Sequence, residues 1–313
     1  KWSRRIIMSE FRIDQIKNQA GISGPNVAGI TTFTGTSGIV MPSGTTAGRF
    51  AKDFISEGLV FYVDISLKEC YNPGISSTVY DPISGITDDE VTGSPTFSAA
   101  DNDGPDRLVF DGEDDGILFD RCDPILGFAT GDPLTVSVWA KIDKEEGGTA
   151  TIFSIQRCNS PSFQIWVDSG SGAFRAADYV GRITWRVATG DQFVVDTRTG
   201  EEQVRKGELR SGKEAPYVDG RGYWINVVGV YYGTTAELYI NGKLSGFNRE
   251  ATSSWTTRTN PTTGSAIGIM RRFPCGNSGF TNGEFNHCAM YRRALSSQEI
   301  LHNYNVLKGR FGL

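Results

Sequence analysis

The chain has 313 residues, 38 of them glycine, with 21% charged residues and a formal net charge of −5. That balance leaves no basic field to recruit nucleic acid, and no apolar run approaches the ~20 residues that span a bilayer. The five cysteines (Cys70, Cys122, Cys158, Cys275 and Cys288) are odd in number, widely spaced and free of any C-x-x-C pair. They argue against a zinc centre and a complete disulfide framework, and read as thiols of a protein made in a reducing cytosol.

Residues 1–7, KWSRRII, precede Met8, which reads as an initiator. No apolar core of about 7–15 residues follows the basic residues, as a signal peptide would require. FRIDQIK (11–17) alternates well enough for one short strand, with a short helix as the competing reading. The stretch that follows, QAGISGPNVAGITTFTGTSGIVMPSGTTAGR, is Gly-, Thr- and Ser-rich with isolated apolar residues. Ordering each residue costs about 1–2 kcal/mol, and little apolar area is present to offset that. Residues 1–52 are therefore expected to be an extended attachment arm that orders only against a partner.

Residues 53–313 read as one β domain. LVFYVDIS (59–66) supplies the first strand, and the Pro-, Gly-, Ser- and Asp-rich stretch from Asn72 to Pro105 reads as surface loop. FDGEDDGILF (110–119) is a strand, an acidic turn and a second strand. LTVSVWAKI (134–142) alternates strictly, which puts Leu134, Val136, Val138, Ala140 and Ile142 inward; FQIWVD (163–168) repeats the pattern with Phe163, Ile165 and Val167. Residues 175–222 look like an insertion, with ITWRVA and QFVVDT as an extra hairpin and TRTGEEQVRKGELRSGKEAP as a charged loop, the kind of place where specificity is carried on a rigid scaffold.

The strongest signal is WINVVGVYY followed by AELYI and a tight turn at Asn241-Gly242. Asn-Gly between apolar strands predicts a type I′ turn, because both central residues need positive φ. The first of these strands is apolar on both faces, with Ile225, Val227 and Tyr231 against Trp224, Val228, Val230 and Tyr232, so it belongs in the middle of its sheet. In the second, Leu238 and Ile240 point to the core, while Glu237, Tyr239 and Asn241 face a partly wet side. A polar loop, NREATSSWTTRTNPTTG, carries Trp255. The chain closes with a short helix opened by the capping box Ser296/Glu299, with Leu295 stapled onto Ile300. Ile300, Leu301, Tyr304 and Leu307 form its apolar face, and Gly309 is the expected stop. This helix is expected to dock on the sandwich or on a neighbouring subunit.

The WINVVGVYY…LYINGKL stretch resembles the late strands of laminin-G-like and concanavalin A-like modules. LVFDGEDDGILF, LTVSVWAKI, FSIQ, FQIWVD, AIGIM and the closing FTNGEFNHCAMYRRALSSQEI follow in the family's order. Asn286 and His287 stand near the place where the family has an acidic residue after the closing glycine. The resemblance implies an all-β, two-sheet antiparallel jelly-roll sandwich carrying the N-terminal arm and the C-terminal helix. SEFRIDQIKNQAG, GITTFTGTSGIVMPSG and the terminal YNVLKGRFGL also resemble segments of structural proteins from tailed phages of marine cyanobacteria.

Since that superfamily includes glucanases and lyases, the resemblance raises a catalytic reading. The glucanase pattern needs carboxylates at E-x-D-x-E or E-x-D-x-x-E spacing, which strand alternation brings to one face about 5–5.5 Å apart. It is absent; RKGELR lacks the companion strands of an alginate lyase; and His287 and His302 build no triad. No enzyme is expected. Some laminin-G-like modules bind calcium at one rim, and the candidate ligands here are Asp111, Glu113, Asp114, Asp115 and Asp168. A glycan site needs an exposed aromatic to stack on a sugar face. Trp255 is the first candidate, then Trp185 and Tyr179 on the extra hairpin, whereas Trp139, Trp166 and Trp224 are expected inside the sandwich.

The reading is a non-enzymatic virion protein, a neck or tail fibre or a surface decoration, made in the host cytoplasm. Its arm would bind other virion proteins, its sandwich a host-surface glycan, and by analogy with fibres it would form a homotrimer. No nucleic-acid partner and no membrane insertion are expected. The alternatives are a purely architectural subunit making protein–protein contacts and, further off, a polysaccharide-degrading enzyme.

Overall fold

The computed structural model describes residues 39–40, 46–47, 54–75, 77–87, 90–119, 132–143, 150–157, 160–167, 183–187, 193–195, 203–205, 208–210, 222–233, 235–248, 266–271 and 279–313. By internal packing the chain divides into one unit over Lys1–Ile39 and another over Val40–Leu313. Nearly all of arm 1–52, including FRIDQIK, lies outside the described residues.

The second unit is a two-sheet antiparallel sandwich. Among the described residues the first sheet runs Lys243–Asn248, Ala236–Ile240, Trp224–Tyr231, Leu134–Ile142, Asn282–Tyr291, Arg107–Asp111, Thr96–Ser98, with Leu59–Asp64 also paired to Asn282–Tyr291. The second runs Glu208–Arg210, Ile183–Val187, Ser160–Val167, Ala150–Arg157, Ala266–Ile269, Gly116–Phe119, Glu90–Thr92. Trp224–Tyr231 is buried along its whole length, as its two apolar faces require. Ile240 and Lys243 pair across a two-residue turn in which Asn241 (φ 49°) and Gly242 (φ 74°) are both left-handed, the type I′ geometry read from Asn-Gly. The Asn241 side chain also accepts the Asn226 N–H at 2.8 Å, locking the turn to the neighbouring strand.

Strand parity sorts the side chains into two cores. Phe61, Val63, Leu134, Val136, Val138, Phe163, Ile165, Ile225, Val227, Leu238 and Ile240 fill the space between the sheets. The opposite face of the first sheet offers Trp139, Trp224, Val228, Val230 and Tyr239, which pack with Leu295, Ile300, Leu307 and Phe311 of the closing segment. A bulge shifts register between Trp139 and Ala140, because Trp139 pairs with His287 while Ala140 pairs with Phe285, leaving Asn286 as the extra residue.

The helix Ser297–Leu307 opens on the expected capping box: Ser296 accepts from Glu299 N–H, and the Glu299 carboxylate returns to Ser296 N–H at 2.8 Å. It docks on this chain's own sandwich. Trp139 stacks on Phe311, with ring centroids 3.9 Å apart and planes 4° apart, and on Tyr304 at 5.7 Å. Asn303 stitches it down, accepting Ile55 N–H at 3.0 Å and donating to Tyr291 Oη at 3.1 Å.

Five expectations need correction. ITWRVA and QFVVDT do not pair with each other: Ile183–Val187 lies in the second sheet between Ser160–Val167 and Glu208–Arg210, and Phe193–Val195 pairs with Gln203–Arg205 from the stretch expected to be a charged loop. Leu301 is 45% exposed, and Asn303 takes the buried place on the helix instead. The left-handed stop is Gly312 (φ 72°), after a 3-10 turn over Lys308–Phe311 that runs through Gly309. Asn72–Pro105 is more than a loop: Val79 and Asp81 are fully buried, and Glu90–Thr92 and Thr96–Ser98 add edge strands to the second and first sheets respectively. Three-residue strands are too short to show alternation, and the Pro and Gly around them read as turns. The carboxylate beside the closing glycine is Glu284, directly after Gly283. It sits between Lys141 Nζ (3.0 Å) and Arg107 Nε (2.7 Å), while Asn286 and His287 are fully buried.

Candidate functional site

The candidate positions fall at separate places on the sandwich. Trp185 is fully buried between the sheets, stacked on Phe163 with centroids 5.7 Å apart, and is no sugar platform. Its indole lies flat on the backbone of the opposite sheet, where a Cβ on Gly229 would come within 2.4 Å of it. Strand alternation explains the correction: Trp185 pairs with Ile165, a core position, so the indole shares that inward face. Trp139, Trp166 and Trp224 are buried as expected. Trp255, Tyr179 and Asp168 lie outside the described residues.

The acidic turn joins Arg107–Asp111 to Gly116–Phe119 and therefore bridges the two sheets at one rim. Ligand oxygens of Asp111, Asp114 and Asp115 lie within 4.8 Å of one another. Much of this carboxylate capacity is spent on the turn itself. Asp115, buried, accepts Ser94 N–H at 2.7 Å and Asp111 N–H at 3.1 Å, and Asp111 Oδ1 accepts Glu113 N–H at 2.8 Å. Burial pushes the Asp115 carboxyl above its ordinary range; the two backbone donors pull the other way. The span suits a calcium ion, whose oxygen ligands stand at about 2.3–2.6 Å and so reach about 5 Å from one another across the ion. Glu113 is not in the group.

A further polar cluster stands on the outer face of the first sheet. Tyr232, just past the end of Trp224–Tyr231, and Tyr239, on Ala236–Ile240, both donate to Oε2 of Glu237 at 2.6 Å. Burial and the adjacent carboxylate push both phenols above their usual range, so they stay protonated donors. Leu244 pairs with Tyr239 across the hairpin and extends this face. Tyr232 is 39% and Leu244 48% exposed, and Tyr239 is buried. Sequence reasoning placed Glu237 and Tyr239 on a wet face and did not connect them to Tyr232. The parity of YY before the Gly233 turn was the signal.

Two antiparallel sheets packed face to face across a buried core define a lectin-like sandwich. Residues 111–301, more than half of the chain, match the concanavalin A-like lectin/glucanases superfamily, a laminin G family, and the chain belongs to it. Similar solved structures include the botulinum neurotoxin serotype C1 binding domain (14% identity, TM-score 0.53). Others are the neurotoxin DC binding domain in complex with SialylT (13%, 0.52) and with rat synaptotagmin II (12%, 0.51). Each match covers 80% of this chain and 52% of the other, so the chain spans about half the length of those binding domains. At such identities the likeness is one of fold. No curated protein matches the sequence.

Proposed function

We propose that this chain is a non-enzymatic structural protein of a phage virion, a neck or tail fibre or a surface decoration, anchored by residues 1–52 and displaying its sandwich to host-surface glycans. The observation that carries the reading is membership of a lectin-type superfamily over residues 111–301, in a chain whose Gly/Thr/Ser-rich first 52 residues lack the apolar content for a core of their own. The resemblance of that arm and of the C-terminal YNVLKGRFGL to cyanophage structural proteins supplies the virion setting. Homotrimeric assembly and synthesis in the host cytoplasm belong to the same reading.

The absence of the glucanase carboxylate pattern from the sequence supports binding over hydrolysis. Trp255, in the polar stretch NREATSSWTTRTNPTTG, and Tyr179, within residues 175–222, are the proposed sugar-stacking residues. Calcium bound by Asp111, Asp114 and Asp115 would brace the rim between the sheets and relieve the crowding of three carboxylates.

A glycan array probed with the full chain, with and without chelator, tests this reading. Saturable binding that Trp255→Ala abolishes supports it, and loss on chelation adds calcium. Release of reducing ends from a bound polysaccharide would make the protein an enzyme. Folded protein that binds nothing yet co-assembles with other virion proteins would make it an architectural subunit.

A further inference from the structure

We propose that Tyr232, Glu237 and Tyr239 form a binding site for a primary ammonium group carried on a glycan, the free amine of an amino sugar. The inference rests on the glycan-binding reading above and narrows it to one chemistry at one place.

The hydrogen-bond inventory of the cluster points to the ligand. Both phenolic protons are committed to Oε2 of Glu237. What remains for a ligand is Oε1 of Glu237, which has no partner among the described residues, and the phenolic oxygen lone pairs. Among the described residues the site offers acceptors and no free donor. A neutral sugar hydroxyl donates but leaves its own lone pairs without a donor there, and an anionic sugar meets a carboxylate of like charge. An ammonium group offers three donors and no acceptor, matching the inventory.

Charge and shape agree with this. Glu237 has no cationic partner among the described residues, unlike Glu284 between Lys141 and Arg107. The net charge of −5 favours a cation over an anion at long range. A carboxylate flanked by aromatic rings suits an ammonium group, which both carboxylate charge and ring quadrupole attract. Tyr239, buried, and Tyr232, partly exposed, both bond to the carboxylate, and Leu244, opposite Tyr239 across the hairpin, is exposed. The apolar surface of Tyr232 and Leu244 suits the C–H face of a sugar ring that carries the amine.

The test measures binding of the full chain to a β-1,4-linked glucosamine pentamer and to its fully N-acetylated counterpart, at mildly acidic pH where the amine is charged. The free amine should bind at least about tenfold more tightly, and Glu237→Gln should erase the difference. Tyr232→Phe should weaken amine binding several-fold, with thermal melts confirming that both variants fold. Equal binding of the two pentamers, or unchanged amine binding in folded Glu237→Gln, overturns the proposal without needing any other variant. A lysine-rich peptide that binds through Glu237 where the glucosamine pentamer does not would assign the site to a protein partner and overturn the glycan source. Array binding to other sugars that depends on Trp255 but not on Glu237 would overturn this site while leaving the broader glycan reading in place.

Discussion

Arg310 Nη1 lies 2.7 Å from Oδ2 of Asp64, a carboxylate with no solvent exposure, so the last turn of the chain is tied to the first strand of the sandwich. Tyr62 Oη and Ser66 N–H bond to the same carboxylate at 3.2 and 3.0 Å. Removing one partner of a buried pair strands the other charge, which costs more than the pair itself contributes. Arg310→Met is expected to lower the unfolding free energy by about 3 kcal/mol. Asp64→Asn combined with Arg310→Met should recover part of that loss, and denaturant titration of the double-mutant cycle measures the coupling.

His287 and Asp81 should give stability opposite slopes against pH. His287 is fully buried, its ring edge-on to Tyr62 at 5.0 Å and to Phe54 at 5.4 Å, and neither ring nitrogen has a hydrogen-bond partner among the described residues. Burial pushes its pKa down to about 4; Asp64 raises it and Arg310 lowers it further. The folded value lies below the unfolded one, so its contribution is full above pH 6.5 and is lost as pH falls towards 4, roughly 3 kcal/mol in all. Asp81 runs the other way. Burial raises it to about 6 against hydrogen bonds from Ser84, Ile83 and Tyr62, so its contribution is full below 3.8 and is lost as pH rises through 6. Chemical denaturation of His287→Phe should show stability falling from pH 4 to 6.5, and Asp81→Asn should show it rising. Parallel profiles in the two variants would contradict this assignment.

Trp185 should matter for folding alone. Trp185→Ala empties a large fully buried site and is expected to cost about 3–5 kcal/mol. Gly229→Ala should also destabilise, since the new Cβ would stand 2.4 Å from the indole. Thermal melts measure both, and folded Trp185→Phe should keep whatever glycan affinity the parent chain has.

The helix cap offers a smaller, local test. Ser296→Ala removes an acceptor for Glu299 N–H and should cost about 1 kcal/mol. The Glu299 carboxyl is held down to about 2 by the Arg293 guanidinium, 2.7 Å away, with Ser296 assisting. That contribution is present above pH 4.5 and is lost as pH falls towards 2, so Glu299→Gln should flatten the acid limb of the stability profile.

The fold was legible where alternation runs long enough. Leu134–Ile142 and Trp224–Tyr231 each carry eight or more residues of readable parity, and both land as read. Asn241-Gly242 fixed a turn because few residues tolerate two left-handed positions. Glu90–Thr92 and Thr96–Ser98 were invisible because a three-residue strand borrows its hydrogen bonds from a neighbour and needs no pattern of its own. The site was less legible. Trp185 sat in an apparent insertion and looked like a loop aromatic until pairing with Ile165 turned it inward. Tyr232, Glu237 and Tyr239 come together because a hairpin folds Ala236–Ile240 back on Trp224–Tyr231, and the one trace of this in the sequence is the parity of Tyr231 and Tyr232 ahead of Gly233.

The central claim is that the sandwich recognises glycan on a host surface. The most direct measurement is saturation binding of the labelled full-length chain to intact host cells before and after enzymatic stripping of surface polysaccharide. The account predicts saturable binding that falls by about tenfold or more on stripping and is competed by the released glycan. Binding that is unchanged by stripping, or absent from protein shown to be folded, would contradict it.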